Sequence, residues 1–212
     1  MKNDNSYWIN KLRVQQFGLT ATIKDDDGKE HHFYRGHEYV EIGGVKWAVT
    51  NVGAEKETDS GLYFAFGEKQ GYTAEQVRSG ERKFNENGYT NVNFDSVNAY
   101  WGGKWRLPTD TEFQALISST TSGWIENYQG SGVNGMLFTD KTDWSKKLFF
   151  PTVGYCSSGI VCHETFVGSY WSRSLFANNV NHGIYLYLDK WSAMISYNVN
   201  FLGFPIRGVV GE

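Results

Sequence analysis

The stretch that decides the fold runs from Trp101 to Leu116, and it reads WGGKWRLPTDTEFQAL. Its paired glycines permit a tight backbone turn. Thr109, followed three residues later by Glu112, forms a capping box, in which each side chain hydrogen-bonds the backbone N–H of the other residue. Phe113 and Leu116 then recur at helical spacing. The stretch therefore predicts a tight turn followed by a helix that starts after Thr109.

Other local signals predict two more short helices and a strand-rich remainder. Thr73 and Gln76 make a second capping box, and Asp95 to Tyr100 has a weaker helical pattern. Between Tyr39 and Val49, two apolar runs flank Gly-Gly, which indicates a β-hairpin. Short strands are predicted later in the chain around 124–128, 136–139, 147–150, 169–172, 184–188, 194–199 and 204–210.

The composition excludes several classes of protein. The 212 residues include eight Trp, thirteen Tyr, fourteen Phe and 24 Gly but only three Pro, with 20% charged residues. Disordered chains are poor in aromatic residues and rich in charge, and collagen and coiled coils need repeats that this sequence lacks. The formal net charge of −3 shows no excess of basic residues of the kind that indicates nucleic-acid binding. We therefore expect a folded, turn-rich protein.

The chain shows no sign of membrane insertion or targeting. It lacks an apolar run of the roughly 18 residues that a spanning helix needs. Met1 to Asn5 lacks the apolar segment of a secretory signal. We expect synthesis and assembly in the cytoplasm, or a leader that has been removed.

The pattern of apolar and polar residues changes near residue 37. Alternating runs at 12–17 and 19–23, an acidic turn at 25–29 and a further run at 31–34 predict a β-rich N-terminal arm over residues 1–36. An arm of this length is too small to bury its own core. We expect it to serve attachment or oligomerisation, with residues 37–212 forming a ligand-binding domain.

Few residues offer catalytic or metal-binding chemistry. The five histidines show no metal-ligand spacing, and no nucleophile elbow, phosphate loop or dinucleotide fingerprint is present. Cys156 and Cys162 could close a small disulfide loop, although two free structural thiols fit a reducing compartment better. We predict no catalytic residues, no metal, no cofactor and no enzyme activity.

Three blocks of sequence carry a resemblance to a known family. The first block comprises residues 39–48, 51–54 and 61–68, the second is 101–109 with Glu112, Phe113 and Leu116, and the third is 168–172 with 203–209. In this order and spacing the blocks resemble the C-type-lectin-fold domains of the formylglycine-generating-enzyme-like branch, over about residues 37–210. The resemblance implies an α+β C-type lectin fold. That fold would combine two short helices, short and mostly antiparallel strands and much irregular loop, preceded by the β-rich arm.

The resemblance also implies a division of function. Enzymatic members use a cysteine pair near the C-terminus, whereas no cysteine follows Cys162 here. Binding members include the variable proteins of diversity-generating retroelements, which change residues in a C-terminal stretch on a fixed scaffold. We therefore expect a non-enzymatic receptor-binding protein, on a phage virion or as an adhesin on a bacterial surface.

The interval 173–202 is the expected binding surface. It is rich in Asn and Tyr, which supply adaptable hydrogen bonds and rigid amphipathic area. Its strand-like residues alternate, so one face can be buried while the other contacts a ligand. The predicted ligand-binding residues are Arg173, Phe176, Asn178, Asn179, Asn181, His182, Tyr185, Tyr187, Trp191, Tyr197, Asn198 and Asn200.

Partners and alternatives follow from the same observations. The expected ligand is a protein or a glycan on a cell surface, with neither nucleic acid nor membrane insertion, and the arm would form a homo-oligomer. One alternative is an enzyme, either a formylglycine-type oxidase with a relocated cysteine pair or a hydrolase. Another alternative is a structural subunit whose aromatic face is buried in an assembly.

Overall fold

The computed structural model describes residues 20–86 and 94–211, and these residues form mostly β structure. The first nine strands are β1 (Thr20–Lys24), β2 (Glu30–Tyr34), β3 (His37–Ile42), β4 (Val45–Asn51), β5 (Tyr63–Phe64), β6 (Trp105–Arg106), β7 (Thr120–Ile125), β8 (Gly135–Asp140) and β9 (Lys147–Pro151). The remaining strands are β10 (Tyr155–Ser157), β11 (Ile160–Cys162), β12 (Gly168–Leu175), β13 (His182–Leu188), β14 (Ala193–Val199), β15 (Phe204–Pro205) and β16 (Arg207–Val210).

All strand pairs of the sheets are antiparallel. The largest sheet has the order β1-β2-β3-β4-β16-β6, so the C-terminal strand lies between two strands from the first half of the chain. Two three-stranded sheets, β7-β8-β9 and β12-β13-β14, and two small pairs, β10-β11 and β15-β5, complete the described structure. Closure of the fold therefore depends on contacts between distant parts of the sequence.

Within the described residues, three short α-helices lie between strands of these sheets. They are α1 (Ala74–Arg78), α2 (Ser96–Trp101) and α3 (Asp110–Ser119). Both predicted capping boxes are confirmed, with Thr73 and Gln76 starting α1 and Thr109 and Glu112 starting α3. The weaker helix prediction near Asp95 is confirmed as well, since the Asp95 carboxylate caps α2.

The predicted fold class is wrong. We expected an α+β C-type lectin fold, but the described residues form sixteen strands in curled antiparallel sheets, with only three short α-helices of five, six and ten residues. A capping box determines where a helix begins and says nothing about how far it extends. The second helix ends after six residues because Gly102 follows with a φ of 67°, in the left-handed region that glycine tolerates.

The core lies on both faces of the β12-β13-β14 sheet. On one face, Leu186 and Leu188 belong to a cluster with Trp47 and Phe113, whose rings stack at 5.4 Å. On the opposite face, Trp171 stacks on Phe204 with ring centroids 4.1 Å apart, in a second cluster that includes Tyr185 and Trp105. A sheet covered on both faces exposes mainly its ends and its edge, so these are the places where it can meet a partner.

Arg207 lies between the apolar residues Ile206 and Val209, a position that predicts a side chain pointing away from the core or paired with a buried carboxylate. This prediction is wrong, because Arg207 is fully buried and none of its hydrogen-bond partners among the described residues is a carboxylate. Its guanidinium donates to Asn51 Oδ1 at 2.8 Å and to the carbonyls of Ala48, Val49 and Phe149. Burial lowers the pKa of Arg207 to about 10, so the group stays charged at neutral pH.

The described part of the predicted arm continues the largest sheet. The expected strands at 19–23 and 31–34 correspond to β1 and β2, while the one at 12–17 lies outside the described residues. Strand β2 pairs with β3, and the Trp105 indole N–H donates to the Tyr34 carbonyl at 3.0 Å. A role in attachment or oligomerisation, and the boundary at residue 37, stay predictions.

Candidate functional site

The candidate site lies where β12 ends and β13 begins. Between Trp171 and Leu175 the register with β13 shifts, so Ser172, Arg173 and Ser174 face only Ile184. This bulge is held by the Ser172 hydroxyl, which donates to Ile184 O at 2.7 Å, and by Arg173 N, which donates to Pro108 O at 2.8 Å. Bulges turn side chains away from the regular pleat, and Arg173 is exposed here.

Three aromatic side chains gather at this end of the sheet. Phe176 and Tyr197 stack with ring centroids 4.0 Å apart and an interplanar angle of 6°. The His182 ring lies edge-on to Tyr197 at 5.9 Å, and its Nδ1 is buried without a hydrogen-bond partner among the described residues. Tyr197 is 53% exposed. The pairing of Ile184 with Tyr197 places this stack beside the β12-β13 loop.

The asparagines of this end have two different roles. Asn179 Oδ1 accepts from Asn181 N, and Asn198 Oδ1 accepts from Val199 N, so these two amides stabilise the local backbone. The side chains of Asn178 and Asn181 are exposed and make no hydrogen bond with a described residue. Asn178 and Asn181 therefore have both the oxygen and the NH2 group of their amides available for a ligand, whereas Asn179 and Asn198 already use their oxygens.

A small cleft lies beside the β12 bulge. It has a volume of about 110 Å³ and is lined chiefly by Phe66, Phe94, Asp95, Leu107, Ser172 and Arg173. Phe66 connects the cleft to the loop, because its backbone N–H donates to Asn200 O and Asn200 N donates to Asn181 O. The Phe66 ring also covers Gly183, where an added Cβ would lie 2.3 Å from ring carbon Cδ2.

We name this region the sheet-end surface. It comprises Arg173, Phe176, Asn178, Asn181, His182 and Tyr197 together with the cleft. Sequence reasoning predicted these six residues but missed the cleft walls. Leu107 belongs to the stretch that predicted α3, whereas no sequence pattern indicates that Phe66, Phe94 and Asp95 approach Arg173.

Two of the predicted ligand-binding residues are buried. The expectation that they lie on an exposed face is therefore wrong. Tyr185 is 7% exposed and packs against Trp171 and Phe204, and Asn200 is 4% exposed. The alternation along β13 suggested one buried and one exposed face, but core clusters cover both. Tyr187 is half-buried, and its hydroxyl donates to Asp189 Oδ2 at 3.1 Å.

Trp191 lies away from the other predicted residues. It is 86% exposed in the turn between β13 and β14, where its backbone N–H donates to Asp189 Oδ1. Strand β13 has seven residues, so this turn and the sheet-end surface are separated by about 20 Å. The structure therefore does not bring Trp191 together with Phe176 and Tyr197.

The cysteines show no reactive arrangement. Both thiols are free, and Cys156 is buried in the core cluster with Tyr63 and Phe84. Burial raises the pKa of Cys156, so its thiol stays protonated at neutral pH. Among the described residues, no group of three or more His, Cys, Asp or Glu side chains is arranged to hold a metal ion.

Comparison with known proteins adds no relative. No protein-family model matches the sequence, and neither the curated proteins nor the solved structures contain a significant match. Within residues 20–86 and 94–211, no helix has the length and apolar character needed to cross a bilayer.

Proposed function

We propose that this protein is a non-enzymatic binding protein whose sheet-end surface attaches to a protein on a cell surface. The observation that carries the proposal is the stacked pair of Phe176 and Tyr197, half-exposed at the end of a sheet whose two faces are buried. A rigid pair of rings offers apolar contact area at little entropic cost. The stack is therefore suited to be the anchor of an interface.

Charge distribution supports a protein partner. From Arg173 to Leu188 the only residue with a full charge at neutral pH is Arg173, and Ala193 to Ile206 contains none. The cores of protein interfaces are depleted in Lys, Glu and Asp and enriched in aromatic residues and Arg. The part of the sheet-end surface formed by residues 173–188 and 193–206 has this composition, and Asp95 is the one acidic residue among the described residues that line the cleft.

The size of the cleft supports the same class of partner. Pockets that enclose a small molecule usually have volumes of roughly 300–1,000 Å³, whereas this cleft has about 110 Å³. It has room for one side-chain-sized group that projects from a larger surface. A macromolecule that contacts this end of the sheet and inserts one group into the cleft fits this geometry.

The buried thiol argues against the oxidase alternative. A reactive cysteine needs access and a stabilised thiolate, but Cys156 is buried and its pKa is raised. Replacing Cys156 and Cys162 by Ser discriminates the two functions. The double variant should still bind its partner, whereas an oxidase would lose its activity.

Binding to cells tests the proposal. Fluorescently labelled protein is incubated with a panel of intact bacterial cells and with the same cells after protease treatment, and bound fluorescence is measured. We expect protease-sensitive binding to some cells. Because truncation of an interface anchor typically costs 2 kcal/mol or more, Phe176→Ala combined with Tyr197→Ala should weaken binding at least about tenfold.

Trp144→Ala is the matched control. Trp144 is 77% exposed in the β8-β9 connection, and Lys141 of that connection bonds Ser119 O at the end of α3. Ser174, beside Arg173, instead bonds Asp110 at the beginning of α3. This variant should bind like the wild type. Absence of binding to every cell, or equal losses in the two variants, would show that the proposal is wrong.

Diversification by a retroelement is a separate proposal about the same surface. It is supported by the exposed Asn178 and Asn181, whose codons are rich in adenine, on a backbone fixed by other contacts. A near-repeat of the 3′ end of the gene, differing mainly at adenines and lying beside a reverse-transcriptase gene, is the expected genomic arrangement. Its absence from the neighbouring DNA would contradict the proposal.

A further inference from the structure

We infer that the cleft beside Arg173 receives an acidic side chain, Asp or Glu, of the protein partner. The inference deepens the proposed function and rests on it. It is carried by the distribution of hydrogen-bonding capacity in the cleft, by the position of Arg173 in the β12 bulge, and by the aromatic walls.

The two charged side chains of the cleft differ in what they already bind. Both Asp95 carboxylate oxygens accept from Leu107 N at 3.0 Å, and Oδ1 also accepts from Asn98 N at 3.1 Å. Asp95 is therefore occupied as the cap of α2. The Arg173 guanidinium makes no hydrogen bond or ion pair with any residue that the structure describes. With respect to residues 20–86 and 94–211, its five N–H donors are therefore available for hydrogen bonds to a ligand.

The Arg173 backbone is fixed, although its side chain has no hydrogen-bond or ion-pair partner in the part of the chain that the structure describes. Its N–H donates to Pro108 O, and the neighbouring Ser174 hydroxyl donates to Asp110 Oδ1 at 2.7 Å. These bonds tie both sides of the bulge to the start of α3. A guanidinium on a fixed backbone loses less freedom on binding than one on a loose loop, and its planar fork matches a carboxylate.

The walls of the cleft explain why the acid should be part of a side chain. Phe66 and Leu107 are buried and form the apolar base, and Phe94 is 51% exposed at the rim. An exposed ion pair alone contributes little in water. Apolar contact with the methylene stem of Asp or Glu would add to it and would exclude water from the pair. A side chain with this chemistry fills a cleft of about 110 Å³.

Titration of the intact chain with a minimal probe tests the cleft directly. The probe is N-acetyl-glutamate methylamide, and the readout is the NMR signal of the Arg173 Nε–H group. We expect a saturable shift and about tenfold weaker binding of the neutral isostere N-acetyl-glutamine methylamide. Raising the ionic strength from about 0.05 to about 0.3 M should weaken binding of the acidic probe only.

Two controls make the result specific. Arg173→Gln should abolish the saturable response of the neighbouring backbone amides. The Nε–H signal of Arg78, whose guanidinium is bonded to Glu164, should not shift. Equal binding of the acidic and neutral probes, or an unchanged response in Arg173→Gln, would overturn the inference.

The cell-binding assay separates this inference from the function on which it rests. We expect Arg173→Gln to weaken protease-sensitive cell binding about tenfold. If this variant binds cells like the wild type, the inference is wrong and the binding function stands. If the probe binds at Arg173 but no cell is bound, the cleft chemistry stands and the proposed function is wrong.

Discussion

Arg207 joins two sheets through a single side chain. Its Nη1 atom donates to the carbonyls of Ala48 and Val49 in β4, while Nη2 donates to Phe149 O in β9 at 3.2 Å. The guanidinium lies 4.5 Å from the centre of the Phe150 ring. A buried charge is tolerated here because each end of the fork has an acceptor and one face has an aromatic ring.

Loss of this side chain should destabilise the protein strongly. Arg207→Met leaves Asn51 Oδ1 and several carbonyls without their donor, so we expect a decrease of about 3–5 kcal/mol in the free energy of unfolding. Urea denaturation followed by tryptophan fluorescence measures it. Arg173→Met, on the surface, is the matched control and should change stability by less than about 0.5 kcal/mol. Similar values for the two variants would contradict the role assigned to Arg207.

Residue-level predictions from the sequence succeeded where only local chemistry matters. The Thr109 and Glu112 side chains meet because they are three residues apart in one turn. The burial of Tyr185 and the partners of Arg207 depend on strands far away in the sequence, and no local pattern contains that information. The contact of Phe66 with Gly183 is of the same kind.

At the scale of elements, His31 links three segments of the N-terminal sheet. It lies in β2, its Nδ1 contacts Glu38 Oε1 of β3 at 2.6 Å, and its Nε2 contacts Asp25 Oδ2 of the β1-β2 turn at 3.1 Å. Burial of the ring disfavours its charged form, but the hydrogen bonds to Glu38 and Asp25 outweigh this effect and raise the pKa of His31. Protonation therefore stabilises the native sheet.

The stability of this sheet should fall as the solution becomes alkaline. Because the pKa of His31 is higher in the native state than in the unfolded state, its contribution to the free energy of unfolding is fully present below the unfolded-state pKa near 6.5. This contribution is lost as the pH rises through the native-state pKa. The loss of unfolding free energy caused by His31→Gln should thus be larger at about pH 5.5 than at about pH 9. Urea denaturation at both pH values measures it.

Glu38→Gln provides the control for this pH dependence. It removes one of the two carboxylates that favour the protonated ring. In a protein that carries Glu38→Gln, the stability cost of His31→Gln should therefore differ less between the two pH values. A difference that is constant with pH in the wild-type background would show that His31 does not change its charge within this range.

The elements themselves could be predicted better than their arrangement. The structure has β8 at Gly135–Asp140 and β9 at Lys147–Pro151, close to the predicted 136–139 and 147–150. The β10-β11 hairpin was missed because its strands have only three residues each. Insertion of β16 between β4 and β6 could not be predicted, since strand order is decided by contacts across the whole chain.

At the scale of the whole molecule, the aromatic residues divide into two populations. Trp47, Trp105 and Trp171 are fully or almost fully buried and hold the sheets together. Tyr197 and Trp191 are exposed at opposite ends of the β13-β14 hairpin. The aromatic residues therefore comprise buried rings of the framework and exposed rings, and exposure rather than residue type distinguishes the two groups.

The N-terminal segment belongs to the framework to an extent that its sequence did not indicate. Arg35 Nε donates to Trp101 O at 3.0 Å, Tyr34 OH accepts from Lys104 N at 3.1 Å, and Phe33 is fully buried. A chain that begins at residue 37 would lose these contacts and two strands of the sheet. It should be less stable than the full chain by about 3–5 kcal/mol, as measured by urea denaturation.

A chain that begins at Thr20 is the matched control, because it keeps β1, β2 and their contacts with α2 and β6. Light scattering of both truncated chains then tests the predicted attachment role. If the arm mediates oligomerisation, the chain starting at residue 37 has a lower molecular mass in solution than the full chain. If stability and mass are unchanged, the arm has neither role. If only stability falls, residues 20–36 are part of the framework and the predicted oligomeric contact is wrong.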